Sequence, residues 1–571
     1  MKINNLKAIQ MALFCMAMVC FSAFTASAQW SVNPAINTPV VTDINRQNAN
    51  CIASDGSGGA IIAWWNYNLA ANNYDIYAQR INSQGVIQWA AGGVPICTNP
   101  GFNHVPYITS DGEGGAIIAW SDTRNVKNEV FAQKINASGV VQWAENGVSV
   151  GTVATHYQHG SPEITTDGNG GAIIAWADWR KNEFNDEFKA IYAQRISSNG
   201  ITMWGVGGRP LNDNTSESND NPRIVSDGSG GAVVTWSQWI GKYPSGDRNV
   251  FAQKVNSAGG LDWGAGSLTI CSAPNEQAHS RLAADGAGGA IIAWQDTRDG
   301  TKTYPYAQKV SSGGTIQWAE NGIRVSSATT NYGRHRLVGD GNGGAIITWE
   351  STTTIVWGQL LNTSGLPQWT ADGVAIVAGA NPQIISDGAN GAVITWEASG
   401  NIKAQRMNPS GALLWATSGA IVCNNTENQW GPVLTTDGSG GAIISWDDYR
   451  NEFVNSTDVY AQQISSSGAI GVVTGIDELN GSTDESLRLY QNYPNPASGP
   501  TRIEYKVIRP GNVSLTVNDI AGREILTLVN ASLEPGDYSV EFDTYKVPAG
   551  LYFYTLSHGP AQVTRQMVVV K

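Results

Sequence analysis

The chain has 571 residues and a formal net charge of −13, with 14% of residues charged and 65 glycines. That balance suits a large, turn-rich β protein rather than a disordered one. An acidic surface poor in lysine argues against nucleic acid and anionic lipid as partners.

The first predicted element is a secretory leader over residues 1–28. Lys2 and Lys7 precede an apolar run from Met11 to Phe24, and Ala26-Ser27-Ala28 supplies a small-x-small cleavage site. Cys15 and Cys20 leave with the leader. No other stretch reads as a membrane span, so the mature chain is expected to carry no transmembrane segment.

From residue 29 to 471 one motif recurs eight times. Asp55-Gly56-Ser57-Gly58-Gly59-Ala60-Ile61-Ile62-Ala63-Trp64 has copies starting at Asp111, Asp167, Asp227, Asp285, Asp340, Asp387 and Asp437. That period fits one four-stranded unit and is too long for a leucine-rich or ankyrin repeat. Asn390 replaces the fourth-position glycine in the seventh copy, which points to a left-handed residue there and makes Asp-Gly-x-Gly-Gly a tight hairpin turn. The apolar run after the turn, as in Ala116-Ile117-Ile118-Ala119-Trp120, reads as a strand covered on both faces. Tyr77-Ala78-Gln79-Arg80 and its copies mark a third strand. A fourth strand is predicted to carry Trp89, Trp143, Trp204, Trp263, Trp318, Trp369 or Trp415.

Four antiparallel strands repeated eight times predict an all-β fold, an eight-bladed β-propeller. A β-solenoid is the alternative, but its coils are shorter and need no two tight hairpins per period. The last repeat lacks its fourth-strand tryptophan, whereas Trp30 precedes Asp55 by nearly the interval that separates Trp89 from Asp111. The first mature residues, through Pro39-Val40-Val41, are therefore expected to pair beside Ala469 to Val473 and close the ring, sparing it two open edges. Cys97, Cys271 and Cys423 occupy one position relative to a tryptophan of that series, too far apart around a ring to pair, and read as small buried hydrophobes. Cys51 has no obvious mate, although the even count leaves a disulfide open.

Residues 472–487 are small, polar and acidic and read as a linker. Residues 488–571 follow with strands predicted at Thr501 to Val507, Asn512 to Asp519, Glu524 to Val529, Gly536 to Asp543, Gly550 to Ser557 and Ala561 to Val570, a small β-sandwich. Tyr493-Pro494-Asn495-Pro496, Asp519-Ile520-Ala521-Gly522-Arg523, Pro535-Gly536-Asp537-Tyr538, Ala549-Gly550-Leu551-Tyr552 and the ending Met567-Val568-Val569-Val570-Lys571 come in that order. This series resembles the type A C-terminal sorting domain of the type IX secretion system. Gln566 stands where that family often has lysine, with Arg565 beside it. The resemblance implies passage through the periplasm to the outer-membrane surface of Bacteroidetes-type bacteria, or release. It implies the secretion machinery and its sortase as partners. Tyr493, Pro494, Asn495, Pro496, Gly522, Gly536, Gly550 and Lys571 would carry the sorting signal. The propeller repeats resemble uncharacterised repeats of other such cargo, which implies no activity.

Strand parity places both tight turns of every repeat on one face of the disc and the two longer connections on the other. Those longer loops hold Asp122-Thr123-Arg124, Asp178-Trp179-Arg180, Asp296-Thr297-Arg298 and Asp448-Tyr449-Arg450, read as ion pairs that fix a loop. They also hold His104, His159, His279 and His335, candidate ligand-binding residues for which plain loop polarity is the competing account, and no His-x-x-x-His spacing supports a zinc site. One carboxylate per Asp-Gly turn is a meagre calcium ligand set. No phosphate-binding loop opens a helix, so no cofactor is expected.

The acids recur in matched copies. Glu183, Asp186 and Glu187 of the long third-repeat loop are unmatched, yet Asn182-Glu183-Phe184 recurs as Asn451-Glu452-Phe453. No catalytic constellation is therefore assigned. Two functions stay open. One is a monomeric binding or adhesion propeller, with Trp65, Tyr67, Trp179, Trp239, Trp430 and Tyr449 stacking on sugar rings or binding a surface protein. The other is an extracellular hydrolase or lyase acting on polysaccharide.

Overall fold

The structure is a computed structural model. It describes residues 30–571 except 44, 69–71, 104, 125–127, 152–159, 179–188, 213–217, 242–245, 328–331, 452–456, 472–486, 491, 493, 496, 520–522, 560 and 571. The leader and the linker as far as residue 486 therefore fall outside the described residues, while Leu487, expected to end the linker, is buried and opens a strand of the second unit. One compact unit spans Asn33–Gly471, and the residues from Val472 onward belong to a second.

The first unit is a ring of eight four-stranded antiparallel sheets. Blade 1 consists of Arg46–Ser54, Ala60–Asn68, Asn73–Ile81 and Val94–Cys97, paired in that order. Blades 2 to 7 repeat the pattern, and the first strand of each blade neighbours the first strands of the blades beside it around the axis. Burial explains the unbroken apolar runs. Ile61 and Ala63 pack with Ala116, Ile118 and Trp120 between blades 1 and 2. The alternate residues Ile117 and Ala119 pack with Ala172, Ile174 and Trp176 between blades 2 and 3. Each second strand thus serves two interblade cores.

The Asp-Gly turns form as expected. Asp55 Oδ1 accepts the N–H groups of Ser57 and Gly59, both at 2.8 Å. Gly58 and Asn390 share a left-handed backbone, at φ 80° and 63°. The last glycine answers to space instead, because a Cβ on Gly115 would lie 2.2 Å from the Ile135 carbonyl. The free carboxylate oxygen reaches the cation that ends the third-strand motif: Arg80 Nη2 lies 2.9 Å from Asp55 Oδ2, and Arg195 and Arg406 repeat the pair with Asp167 and Asp387.

The second tryptophan series corrects the fourth-strand assignment. Trp89 precedes the strand Val94–Cys97 instead of lying in it. Its backbone N–H donates to Oε1 of the fully buried Gln79, whose Nε2 donates to Ala90 O, so the glutamine ties this segment down. The indole reaches out of its blade, with Trp89 Nε1 donating to Ala137 O of the next blade at 3.1 Å. Trp143, Trp204, Trp263, Trp318, Trp369 and Trp415 donate likewise to Ser198, Ser257, Ser312, Thr363, Pro409 and Ser466.

Blade 8 combines Gln429–Thr436, Ala442–Asp448 and Asp458–Ile464 with the N-terminal strand Thr38–Val41. The ring is closed by the expected segment in a different register: Thr38 opposes Ala461 and Val41 opposes Val459, in place of the 469–473 stretch that the sequence suggests. The seam has its own fastenings. Arg450 donates to Ile36 O and Asn37 Oδ1, and Asn37 Nδ2 to Val422 O. Val40 and Val41 are buried there.

The second unit pairs Leu487–Leu489, Pro500–Val507 and Gly536–Asp543 in one sheet, and Glu524–Leu533, Gly511–Asp519, Gly550–His558 and Ala561–Val569 in another. Ile503, Leu515, Val517, Phe542, Tyr554 and Met567 are among the residues of one shared core. Of the sorting-signal residues, Asn495 Oδ1 accepts the Val568 N–H, Pro494 O accepts from Thr501, and Gly536 and Gly550 open strands. Tyr493, Pro496, Gly522 and Lys571 lie outside the described residues.

Candidate functional site

Each first strand of a blade runs from an interblade loop to an Asp-Gly turn, so its early residues stand at the loop-rich end of the axis. Three of the four Asp-x-Arg loops there are internally satisfied, and Arg180 of the other lies outside the described residues. Arg124, Arg298 and Arg450 pair with Asp122, Asp296 and Asp448. Their guanidiniums lie 3.8 Å from the ring centres of Phe131, Tyr306 and Tyr460. The same carboxylates accept Trp120, Trp294 and Trp446 Nε1. The motif therefore fixes its loop, and it enlists the cysteines. All four cysteines of the described residues are free, and Cys97, Cys271 and Cys423 Sγ accept an N–H from these arginines at 3.3 to 3.5 Å. They are therefore more than small hydrophobes. Burial pushes the Cys97 thiol up to about 12 and the other two to about 11, which keeps them protonated.

The expected aromatic platform is largely occupied. Trp239 Nε1 donates to Asp220, and the Arg248 guanidinium sits 4.8 Å from its ring centre. Trp65 meets Tyr74 edge-on, and Tyr67 donates to Asn72. Tyr449 is half-buried. Trp430 is open, 51% exposed. Trp179, His104 and His159 lie outside the described residues, as do Glu183, Asp186 and Glu187.

The two described histidines of the set part company. His335 is buried, and its Nε2 donates to Ala293 O at 3.2 Å. Desolvation pushes it down to about 3, so it stays neutral. His279 is exposed and left-handed at φ 56°, at a register shift between Ala278 and Arg281. Such a bulge re-aims a side chain at the end of a strand, and the homologous Asn381 has φ 53°.

Both His279 and Asn381 line a cavity of about 440 Å³ with Arg281, Gln295, Arg334, His335 and Arg336. The cavity belongs to blades 5, 6 and 7, and it sits at the loop-rich end because Gln295 adjoins the last residue of the strand Ala290–Asp296. Sequence reasoning named His279 and His335 of this cluster and missed its arginines. The residue four before each Asp of the turns is, in blade order, Cys51, Tyr107, Glu163, Arg223, Arg281, Arg336, Gln383 and Val433. Read in that column, the ring is asymmetric, with three successive arginines. A second axial cavity of about 270 Å³ is lined by Cys51, Tyr107, Glu163, Gln383 and Val433 of the same column, together with apolar neighbours.

Partners for this charge are unevenly shared. Arg223 pairs with Glu163, yet its buried Nε has no hydrogen-bond partner among the described residues. Arg336 donates to Gln383 Oε1 at 2.9 Å and His335 O at 2.8 Å. Burial, reinforced by Arg223, pulls Arg336 down to about 10, still charged at neutral pH. Arg281 and Arg334 line the cavity, and neither side chain forms a hydrogen bond or ion pair with another described residue. Among the described residues, the cavity lining includes no carboxylate.

Residues 491–571 match the family model described as a secretion system C-terminal sorting domain. This domain indicates export to the cell surface or secretion and implies contact with the secretion machinery. No curated protein matches the chain. Among solved structures, the chain is similar to the β-propeller domain of the Trilobed protease from Pyrococcus furiosus, at 10% identity and TM-score 0.37, covering 63% of this chain and 92% of that one. It is similar to an ulvan lyase of polysaccharide lyase family PL25, at 10% identity and TM-score 0.39, covering 79% and 97%. It is also similar to a protein of unknown function from Dyadobacter fermentans, at 10% identity and TM-score 0.33, covering 56% and 96%. No helix of the described residues is long and apolar enough to cross a membrane.

Proposed function

We propose that the propeller is a monomeric glycan-binding module of an exported protein, using the loop-rich end of the ring axis. In the same proposal, residues 1–28 are the leader, 29–471 the propeller, 472–486 a linker, and 487–571 the sorting domain, processed by the sortase of the type IX system. The observation that carries this reading is the cavity of about 440 Å³, within the size range of small-ligand sites and lined by polar side chains. Glycosidases that work through a carboxylate pair need two acids flanking the scissile bond. The described residues of this lining include none, which favours binding over hydrolysis. Trp430 adds an open apolar face at the same end, where the first strand of blade 8 begins.

The test is a glycan array probed with the full-length chain, run beside assays for new reducing ends and for unsaturated products. Expected is retention of at least one glycan without turnover. Chain cleavage would replace the binding reading with an enzymatic one, and retention of none would remove it.

A further inference from the structure

We propose that the axial cavity recognises an anionic group on its glycan, a carboxylate or a sulfate, held by Arg281, Arg334 and Arg336. The proposal rests on the glycan-binding reading and narrows it to acidic polysaccharides. Three observations converge. The arginine column is confined to blades 4, 5 and 6 of a ring that is otherwise built from repeats. Arg281 and Arg334 make no side-chain hydrogen bond to a described residue, although they stand in a cavity beside Arg336. Guanidiniums gathered in one cavity repel one another; Glu163 is paired with Arg223, and Glu350, which accepts the backbone N–H groups of Arg334 and Asn381, offsets only part of the repulsion at Arg336.

An oxyanion entering here would neutralise that repulsion and receive planar, forked N–H donors, the geometry to which guanidinium is suited. His279, Gln295 and Asn381 line the same cavity and are the groups to meet the neighbouring hydroxyls of a sugar, with Gln295 Nε2 donating to Gly333 O and Asn381 Nδ2 to Glu397. His335 supplies no charge, since its burial keeps the imidazole neutral. The chain as a whole is acidic, so the cavity is a local reversal of sign.

The experiment is affinity electrophoresis and calorimetry of the full chain against polygalacturonate, dextran sulfate and neutral dextran. The first two separate carboxylate from sulfate. Expected is retention by at least one acidic polymer, none by dextran, and weakening by added salt. Arg281→Gln with Arg334→Gln should weaken binding about tenfold or more, since each loses charge-assisted hydrogen bonds. Arg209→Gln, at an exposed site outside the cavity, should leave it unchanged.

Equal binding of dextran, or equal weakening by Arg209→Gln, would overturn the proposal. Retention of dextran that is lost in Trp430→Ala and kept in the arginine pair would overturn the anion assignment while leaving glycan binding in place. Retention of no polymer would overturn both readings. Circular dichroism of each variant identifies any that has lost the ring.

Discussion

A cysteine pair at Thr38 and Ala461 tests ring closure directly, because these residues oppose each other across the antiparallel seam. Directly opposed residues of such a ladder have Cα atoms about 4.5 to 5.5 Å apart, inside the window that a disulfide spans. The bond would close a loop covering nearly the whole ring, for which the chain-entropy expression gives about 6 kcal/mol. Native-state geometry takes back part of this, so a gain of about 3 to 6 kcal/mol is expected. With roughly 2 cal/mol/K of unfolding entropy per residue over the ring, the oxidised protein should melt about 3 to 7 °C above the same sample after reduction. The native cysteines of the described residues are free, so reductant acts on the engineered bond alone. The companion pair Thr38→Cys with Ala469→Cys, the register expected from sequence, should not cross-link. Cross-linking of the companion in place of the first pair, or an oxidised midpoint equal to the reduced one, would refute closure as described.

Asp447 and Asp458, buried at the same seam, are both pushed up to about 6, chiefly by desolvation. Their folded values exceed the ordinary value of 3.8, so the folded ring holds these protons more tightly, and their contribution to stability is lost as pH rises from about 4 to about 6 and is level above that. At about 1.4 kcal/mol per pH unit this is about 3 kcal/mol for Asp447. Asp447→Asn should flatten that part of the stability profile, and an unchanged profile would count against the assignment. Gly115→Ala, which drives a Cβ to 2.2 Å from Ile135 O, should cost about 3 to 5 kcal/mol, whereas Gly112→Ala, in open space at φ 78°, should cost about 1 kcal/mol. Equal melting of the two variants would contradict that distinction. Removing residues 488–571 should leave the chain in the periplasm with its propeller folded, read by fractionation and protease resistance; delivery to the surface without them would refute the export route.

Turn chemistry made the repeat legible, because an Asp side chain accepting two N–H groups of its own loop is a local event written in five consecutive residues. The strands of the sorting sandwich were legible for the same reason, lying between Pro- and Gly-marked turns. The tryptophans of the second series misled because their hydrogen bonds belong to the next blade, so Trp89 marks an interblade joint rather than the strand after it. Trp239 reads as an open sugar platform until Arg248 and Asp220, both contributed by other strands, are seen to hold it. The arginine column escaped for a geometric reason. Arg223, Arg281 and Arg336 are each separated by a whole repeat and form no contiguous motif, and only counting backward from each Asp brings them together. The column is marked in the sequence itself, since the residue that follows each of its members is always isoleucine or leucine.

The seam also imposes an order on the making of the molecule. Thr38–Val41 is synthesised first and the strand it covers, Asp458–Ile464, only after seven complete blades, with the sorting sandwich later still. A product that ends anywhere inside the ring lacks the partner for its first strand and lacks the export address as well. Uncovered sheet edges recruit other chains, so this sequence order withholds delivery from the truncated products most prone to aggregate outside the cell. Placing the address last makes completeness a precondition of export without any separate inspection step.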